Sequence, residues 1–248
     1  MTTLITGASS GIGASLARAF AARGDTVGIV GRRADKLDAV LVDCRKTAPS
    51  SRSWVLDLAD LDAAEKWALE AWDALGPVDV IVNNAAVPKR RPVQRLTPDE
   101  VETVMAVNYF APARITLALL PLMLERGSGT IVNVASLGGR VGIIHESAYC
   151  ASKHALSGWS EVLAMDLAGT GVVVKLIQPG PIDTDIWDRP GEDEAPFKGP
   201  FEPPELVADG ILAALDSDRF EHYLPDLEAV AIHHASNIDE WIAMNART

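Results

Sequence analysis

Tyr149 and Lys153 place a phenol and an amine four residues apart. On a helix that spacing sets both side chains on one face. A free tyrosine loses its proton near pH ~10, too high for a proton shuttle at neutral pH. A lysine cation held beside it stabilises the phenolate and brings that pKa toward the working range. Ser136 follows the apolar run 130–135, and a strand there delivers its hydroxyl to the same place. Such a hydroxyl suits holding a carbonyl or alcohol oxygen beside the phenol. Taken alone, the tyrosine–lysine spacing fits two residues on a solvated helix face. Its weight comes from the elements that must position it.

Those elements begin with a short β-prone run over 2–6. Gly7, Ala8, Ser9, Ser10, Gly11, Ile12 and Gly13 follow, and then a helix-like stretch. Glycines between strand and helix let the backbone turn tightly and approach a pyrophosphate, while the helix N-terminus favours anions. The spacing is a variant of G-x-G-x-x-G with three residues between the first two glycines. A second buried strand over 26–30 ends at Gly31, Arg32 and Arg33. Where an NAD-binding Rossmann domain carries an acid for the ribose 2′-hydroxyl, this chain has glycine and two arginines. Guanidinium groups there suit the 2′-phosphate of NADP. The alternative is that both arginines simply open a solvated loop before a helix over 34–44.

The alternation continues with a strand over 53–56 closing on Asp57 and Leu58, and a helix from about 60 to 75. A strand over 78–82 leads into Asn83, Asn84, Ala85 and Ala86. A helix over 98–126 carries Asn108; strand 130–135, helix 148–167 and strand 172–177 follow. The last segments read as a helix over 205–215, a strand over 220–224 and a helix over 227–244. Strands that are apolar throughout predict a parallel sheet covered on both faces, hence an α/β fold.

With 248 residues, 48% of them hydrophobic, one domain over 1–248 fits better than two small ones. The formal charge of −12 argues against nucleic acid or an anionic membrane as partner. Cys44 and Cys150 are too few and too distant for a metal knuckle and suit a reducing cytosol. The chain opens without a leader-like stretch, and no apolar run is read as approaching the ~20 residues of a bilayer span. The expectation is a soluble cytoplasmic protein.

Together and in order, these residues resemble the short-chain dehydrogenase/reductase family, in its single-domain form of roughly 250 residues. The resemblance covers nearly the whole chain. Thr6 to Gly13 is similar to the family's T-G-x-x-x-G-x-G. Asp57 with Leu58 matches its adenine-contacting position, and Asn83, Asn84, Ala85 and Ala86 its N-N-A-G, with alanine for the last glycine. Asn108, Ser136, Tyr149 and Lys153 match the catalytic tetrad, and Pro179, Gly180, Pro181, Ile182, Asp183 and Thr184 match P-G-x-x-x-T.

The resemblance implies a seven-stranded parallel sheet in Rossmann topology, with cofactor and substrate at the strands' C-terminal edge. It implies that Tyr149 is the acid in reduction and the base in oxidation. Lys153 would lower the tyrosine's pKa and bind the nicotinamide ribose. Ser136 would orient the substrate oxygen, and Asn108 would hold a water linking Lys153 to solvent. The implied function is interconversion of a carbonyl and a secondary alcohol by hydride transfer, with NADP(H) preferred on Arg32 and Arg33 and NAD(H) as the alternative. A non-catalytic cofactor-binding protein is the reading from another class. The cofactor set is then Gly7, Ser9, Ser10, Gly11, Ile12, Gly13, Arg32, Arg33, Asp57, Leu58, Asn84, Ala85, Ala86, Tyr149, Lys153, Pro179, Gly180, Ile182 and Thr184, with no metal. A homodimer or homotetramer is inherited from the same resemblance.

Two loops, 137–147 and 185–204, frame the substrate side. The second is rich in proline, glycine and charge and reads as a mobile lid. Trp187, Phe197 and Phe201 either give it an apolar underside or pin it to the core. Lys89, Arg90 and Arg91 read as a solvated cluster, with attraction of an anionic substrate as the alternative. His145 reads as a loop residue without a role, Cys150 as a small filler, and His233 with His234 as ordinary helix residues. The region 205–248 is assigned to substrate or subunit contacts.

Overall fold

The computed structural model describes residues 1–195 and 197–246; residue 196 of the predicted lid and residues 247 and 248 of the C-terminal region lie outside them. The chain alternates β1 (Thr2–Thr6), α1 (Gly11–Ala22), β2 (Thr26–Gly31), α2 (Ala34–Cys44), β3 (Arg52–Val55), α3 (Leu61–Leu75) and β4 (Val80–Asn83). It continues through α4 (Pro98–Met105), α5 (Ala111–Arg126), β5 (Gly129–Val134), α6 (Ser147–Asp166), β6 (Val172–Pro179), α7 (Pro204–Leu215) and β7 (Glu221–Leu224). Helices α8 (Glu228–Ser236) and α9 (Ile238–Asn245) close it.

The seven strands form one sheet in the order β3-β2-β1-β4-β5-β6-β7, and every pairing is parallel. The order reverses between β1 and β4, which makes their C-terminal ends the topological switch point where doubly wound sheets bind ligands.

Strand alternation assigns residues to the two faces. Ile5, Val82 and Val132 pack with Leu16, Phe20, Val207 and Ile211 of α1 and α7. Their neighbours Leu4, Ile81 and Ile131 pack on the other side with Trp67, Ile115, Leu119 and Leu163 of α3, α5 and α6. Both faces are covered, which is why the strands carry no polar alternation.

Several boundaries move. The expected strand 78–82 runs over Val80–Asn83, with Asp79 just ahead of it still bonded to both neighbours, its N–H donating to Thr2 and its carbonyl accepting from Thr130. The expected helix over 227–244 breaks at Asn237, where φ −140° and ψ 48° leave the helical region. From Pro98 to Arg126 the helix is continuous and apolar enough to meet the length and composition of a bilayer span. That corrects the reading that no such stretch exists. Less than half of the span's apolar window is buried, with Ile115, Leu119 and Met123 set against the sheet. Within it, Ala106–Phe110 forms a π turn, a local widening frequent at functional sites.

Candidate active site

A cleft of about 1310 Å³ runs along the C-terminal ends of the strands. It joins the β1–α1 turn and Arg32 and Arg33 at one end to Ser136, Tyr149 and Lys153 at the other.

The turn is built by close contact. Gly7 has φ +71°, and a Cβ there would lie 2.7 Å from the Ala85 Cα. A Cβ on Gly13 would lie 2.6 Å from the Gly7 carbonyl oxygen and from Asn84 Nδ2. The glycines thus serve packing between β1, α1 and the segment after β4 as well as access to the cleft. Thr6 completes that junction: its Oγ1 accepts from the backbone N–H of both Asn84 and Ala85, each at 3.0 Å. No side chain caps the start of α1, which leaves its N-terminal N–H groups for an anion. Ala86 replaces the family glycine without strain. Among the described residues His145 is the non-glycine with positive φ, at +65°.

The two arginines at the end of β2 are engaged. Arg32 pairs with Asp57 at 3.3 Å. Arg33 donates to Ser9 Oγ at 3.0 Å, to Ser10 Oγ, and to Asp185 at 2.6 Å. Lys36 reaches the same Asp185 oxygen at 3.0 Å. The Arg33 and Lys36 bonds hold the Asp185 carboxyl down to about 2. An acid from the lid therefore sits on the cationic group predicted for a phosphate, while both arginine side chains stay solvent-exposed, at 53% for Arg32 and 39% for Arg33.

At the other end, Tyr149 and Lys153 occupy α6 one turn apart, with Lys153 only 1% exposed. Burial pushes the Tyr149 hydroxyl up and the Glu146 charge adds to this, while a hydrogen bond with the Ser136 side chain opposes both. Lys153 is pushed down to about 7 by burial, and its Nζ donates to the Val134 carbonyl at 2.8 Å. The largest causes that act on the Tyr149 hydroxyl are thus burial, Glu146 and Ser136. The amine lies over the ring and is itself biased toward the neutral form.

Asn108 sits on the π turn and is fully buried. Its Oδ1 accepts from Val87 N at 2.8 Å. Its amide donates to Val87 O and to Ser152 Oγ, both at 3.0 Å. Both amide hydrogens are used, so the side-chain amide has none left to donate to a water. Sequence reasoning missed Gln178, which accepts from Ser136 N at 3.1 Å and donates to Ser157 and Glu221. A glutamine ending an apolar strand was the available signal.

The lid is tied. Trp187 meets Phe201 at a tilt, with ring centres 5.0 Å apart, and donates to the Ile182 carbonyl at 2.6 Å, while Phe197 meets Phe201 at 5.4 Å. Ile182 and Glu202 bridge the loop's two ends. The cluster Lys89, Arg90 and Arg91 is not solvated as read from the sequence, because Arg90 is 1% exposed. Cys150 is buried, as a filler requires.

A parallel α/β sheet with this order, a glycine turn at the switch point and a serine–tyrosine–lysine group in the same cleft define a nicotinamide-dependent oxidoreductase site. Residues 1–195 match the short chain dehydrogenase family. The chain is 31% identical to the ketoacyl reductase HetN of a Nostoc species, over 89% of this chain and 77% of that one. Among solved structures it is similar to a short-chain dehydrogenase from Sphingobium yanoikuyae in complex with NADPH. The TM-score is 0.84 at 30% identity, over 98% of this chain and 94% of that one. A short-chain dehydrogenase/reductase from Burkholderia phymatum in complex with NAD gives 0.86 at 25% identity, over 97% and 94%. The chain belongs to the short-chain dehydrogenase/reductase family and is an NAD(P)-dependent enzyme.

Proposed function

We propose that the protein is an NADP(H)-dependent oxidoreductase interconverting a carbonyl and a secondary alcohol, with Tyr149 as general acid and base. The observation that carries the reading is the single cleft joining Arg32 and Arg33 to Ser136, Tyr149 and Lys153. Gly7, Ser9, Ser10, Gly11, Ile12, Gly13, Asn84, Ala85, Ala86, Pro179, Gly180, Ile182 and Thr184 surround the space between, and bind the dinucleotide. Asp57 and Leu58 flank its adenine.

The bound nicotinamide supplies or accepts the hydride. Ser136 holds the substrate oxygen against the Tyr149 hydroxyl. That hydroxyl delivers its proton to the oxygen in reduction and withdraws it in oxidation. A tyrosine kept protonated by burial is suited to the acid role. Lys153, whose amine lies over the Tyr149 ring, would hold the nicotinamide ribose. Apolar side chains of the lid and of the loop before α6, Ile143, Ile144, Ile186 and Trp187 among them, exclude water from the reacting oxygen.

A second reading keeps the chemistry and uses NAD(H). It is favoured by Asp185 and Asp57, which already neutralise Arg33 and Arg32. Fluorescence titration with NADPH and NADH separates the two: tighter NADPH binding supports the first, tighter NADH binding the second, and no binding of either overturns both. A soluble cytoplasmic homo-oligomer acting on a small molecule, with neither nucleic acid nor membrane as partner, completes the proposal.

A further inference from the structure

Arg90 heads the large side chains that the fold buries completely, at 1% exposure. A buried guanidinium is costly unless its charge and its N–H groups are matched. Here the match comes from two separate elements. Nε donates to Glu146 Oε1 at 3.1 Å. Glu146 is the residue before α6, three positions ahead of Tyr149, and its carbonyl accepts from Cys150 N in the first turn. The other groups hold the lid: Nη1 donates to the carbonyls of Trp187 at 3.2 Å and Asp193 at 3.0 Å, and Nη2 to that of Ile186 at 3.3 Å. The guanidinium also lies 5.3 Å from the centre of the Trp187 ring.

The backbone repeats the bridge. Arg91 N–H donates to the His145 carbonyl at 2.8 Å, Asp193 N–H donates to the Arg90 carbonyl at 3.0 Å, and Glu192 accepts from Arg90 N–H. Segment 90–91 is thus laid between the tyrosine loop and the lid, with an arginine fork reaching both.

We propose that Arg90 is a positioning residue: through Glu146 on one side and the carbonyls of Ile186, Trp187 and Asp193 on the other, it sets the spacing between the lid and the turn that carries Tyr149, and thereby which substrates reach the tyrosine. Arginine is required because one planar group must serve acceptors on two elements, which a lysine ammonium does not do from a single point. The inference rests on the oxidoreductase reading only for its kinetic consequence.

Hydrogen–deuterium exchange on the full chain tests the spacing, comparing wild type with Arg90→Lys and Arg90→Met. Arg90→Lys keeps a cation against Glu146 but loses the fork, so amides over 186–193 exchange about tenfold faster while those over 145–149 stay protected. Arg90→Met loosens both segments, with β4 and β5 unchanged. Unchanged exchange in both segments, or equal loosening of both in Arg90→Lys, overturns the proposal. If Arg90→Met fails to fold, the lysine variant decides alone.

Reduction of butane-2,3-dione and of 1-phenylpropane-1,2-dione supplies the second readout. In Arg90→Lys, KM rises more for the bulkier diketone while kcat is held; a uniform fall in kcat with KM unchanged overturns the specificity role. A wild-type enzyme that reduces neither diketone counts against carbonyl reduction of these probes and leaves the exchange result to decide the spacing.

Discussion

The Lys153 Nζ lies 5.7 Å from the centre of the Tyr149 ring and donates to the Val134 carbonyl at 2.8 Å. In this arrangement the lysine is parked on the sheet beneath the tyrosine, and the phenol's direct partner is the Ser136 side chain. On the proposed mechanism, proton transfer to substrate depends on the Tyr149 hydroxyl itself. Tyr149→Phe removes that one oxygen and leaves the ring packing in place. Turnover falls by about 10²–10⁴-fold, the usual contribution of a positioned acid or base. NADPH affinity, measured by fluorescence titration, is little changed. Turnover retained in this variant sinks the acid–base role.

Arg33 and Asp185 give a second prediction. The lid carboxylate, held by both Arg33 and Lys36, occupies cations that the proposed NADP(H) reading assigns to the 2′-phosphate. Arg33→Ala weakens NADPH binding by about tenfold to a hundredfold, as loss of a charge-assisted bond implies, and leaves NADH binding alone. Asp185→Asn has the opposite sign, because it removes a competing anion, and tightens NADPH selectively. Titrations in which both cofactors respond equally to Arg33→Ala would favour the NAD(H) reading.

Nearly every element and the parallel sheet were legible because fully apolar strands alternate with amphipathic helices, a pattern few architectures tolerate, whereas the strand topology came only with the family resemblance. Tyr149, Lys153 and Ser136 were legible through local spacing, and the fold does bring them into one cleft. Arg90 was not legible. Three basic residues in a row look solvated, and what buries the middle one is a glutamate 56 positions later and carbonyls about a hundred positions later. Such matching is fixed by tertiary contact alone. The break at Asn237 escaped for a related reason, since the residues on both sides of it continue a helix-like composition.

Gly139 carries a third prediction. A Cβ there would stand 2.8 Å from the Lys153 carbonyl oxygen and 2.7 Å from Ser157 Oγ. Backbone cannot yield as a flexible side chain does, so Gly139→Ala pushes the loop after β5 away from α6. The expected outcome is a destabilisation of about 1–3 kcal/mol, the range for overpacking a buried site, read by urea denaturation. Because Ser136 lies three residues upstream, kcat falls with it. A variant as stable as wild type shows that α6 and the loop are not held in this register.

Lys153 sets the sign of the pH dependence. Its amine is pushed down to about 7 by burial, whereas an unfolded lysine titrates near its ordinary value of 10.5. Between those two values the unfolded chain binds a proton that the folded chain does not, so stability rises with pH across that window. Below about 7 both states are protonated and the folded protein carries a buried charge. Tyr149 works the other way only above its ordinary value of 10.0, where the unfolded phenol ionises first and stability falls. The cofactor-free protein should therefore gain melting temperature from pH 7 toward pH 9, as the unfolded chain alone holds that proton. Lys153→Met removes the titrating group and flattens this rise, at the cost of leaving the Val134 carbonyl without its donor. Thermal melts of both proteins at matched ionic strength decide the matter: an equally steep rise in the methionine variant would assign the pH dependence to another group and remove the neutral amine from this account of the site.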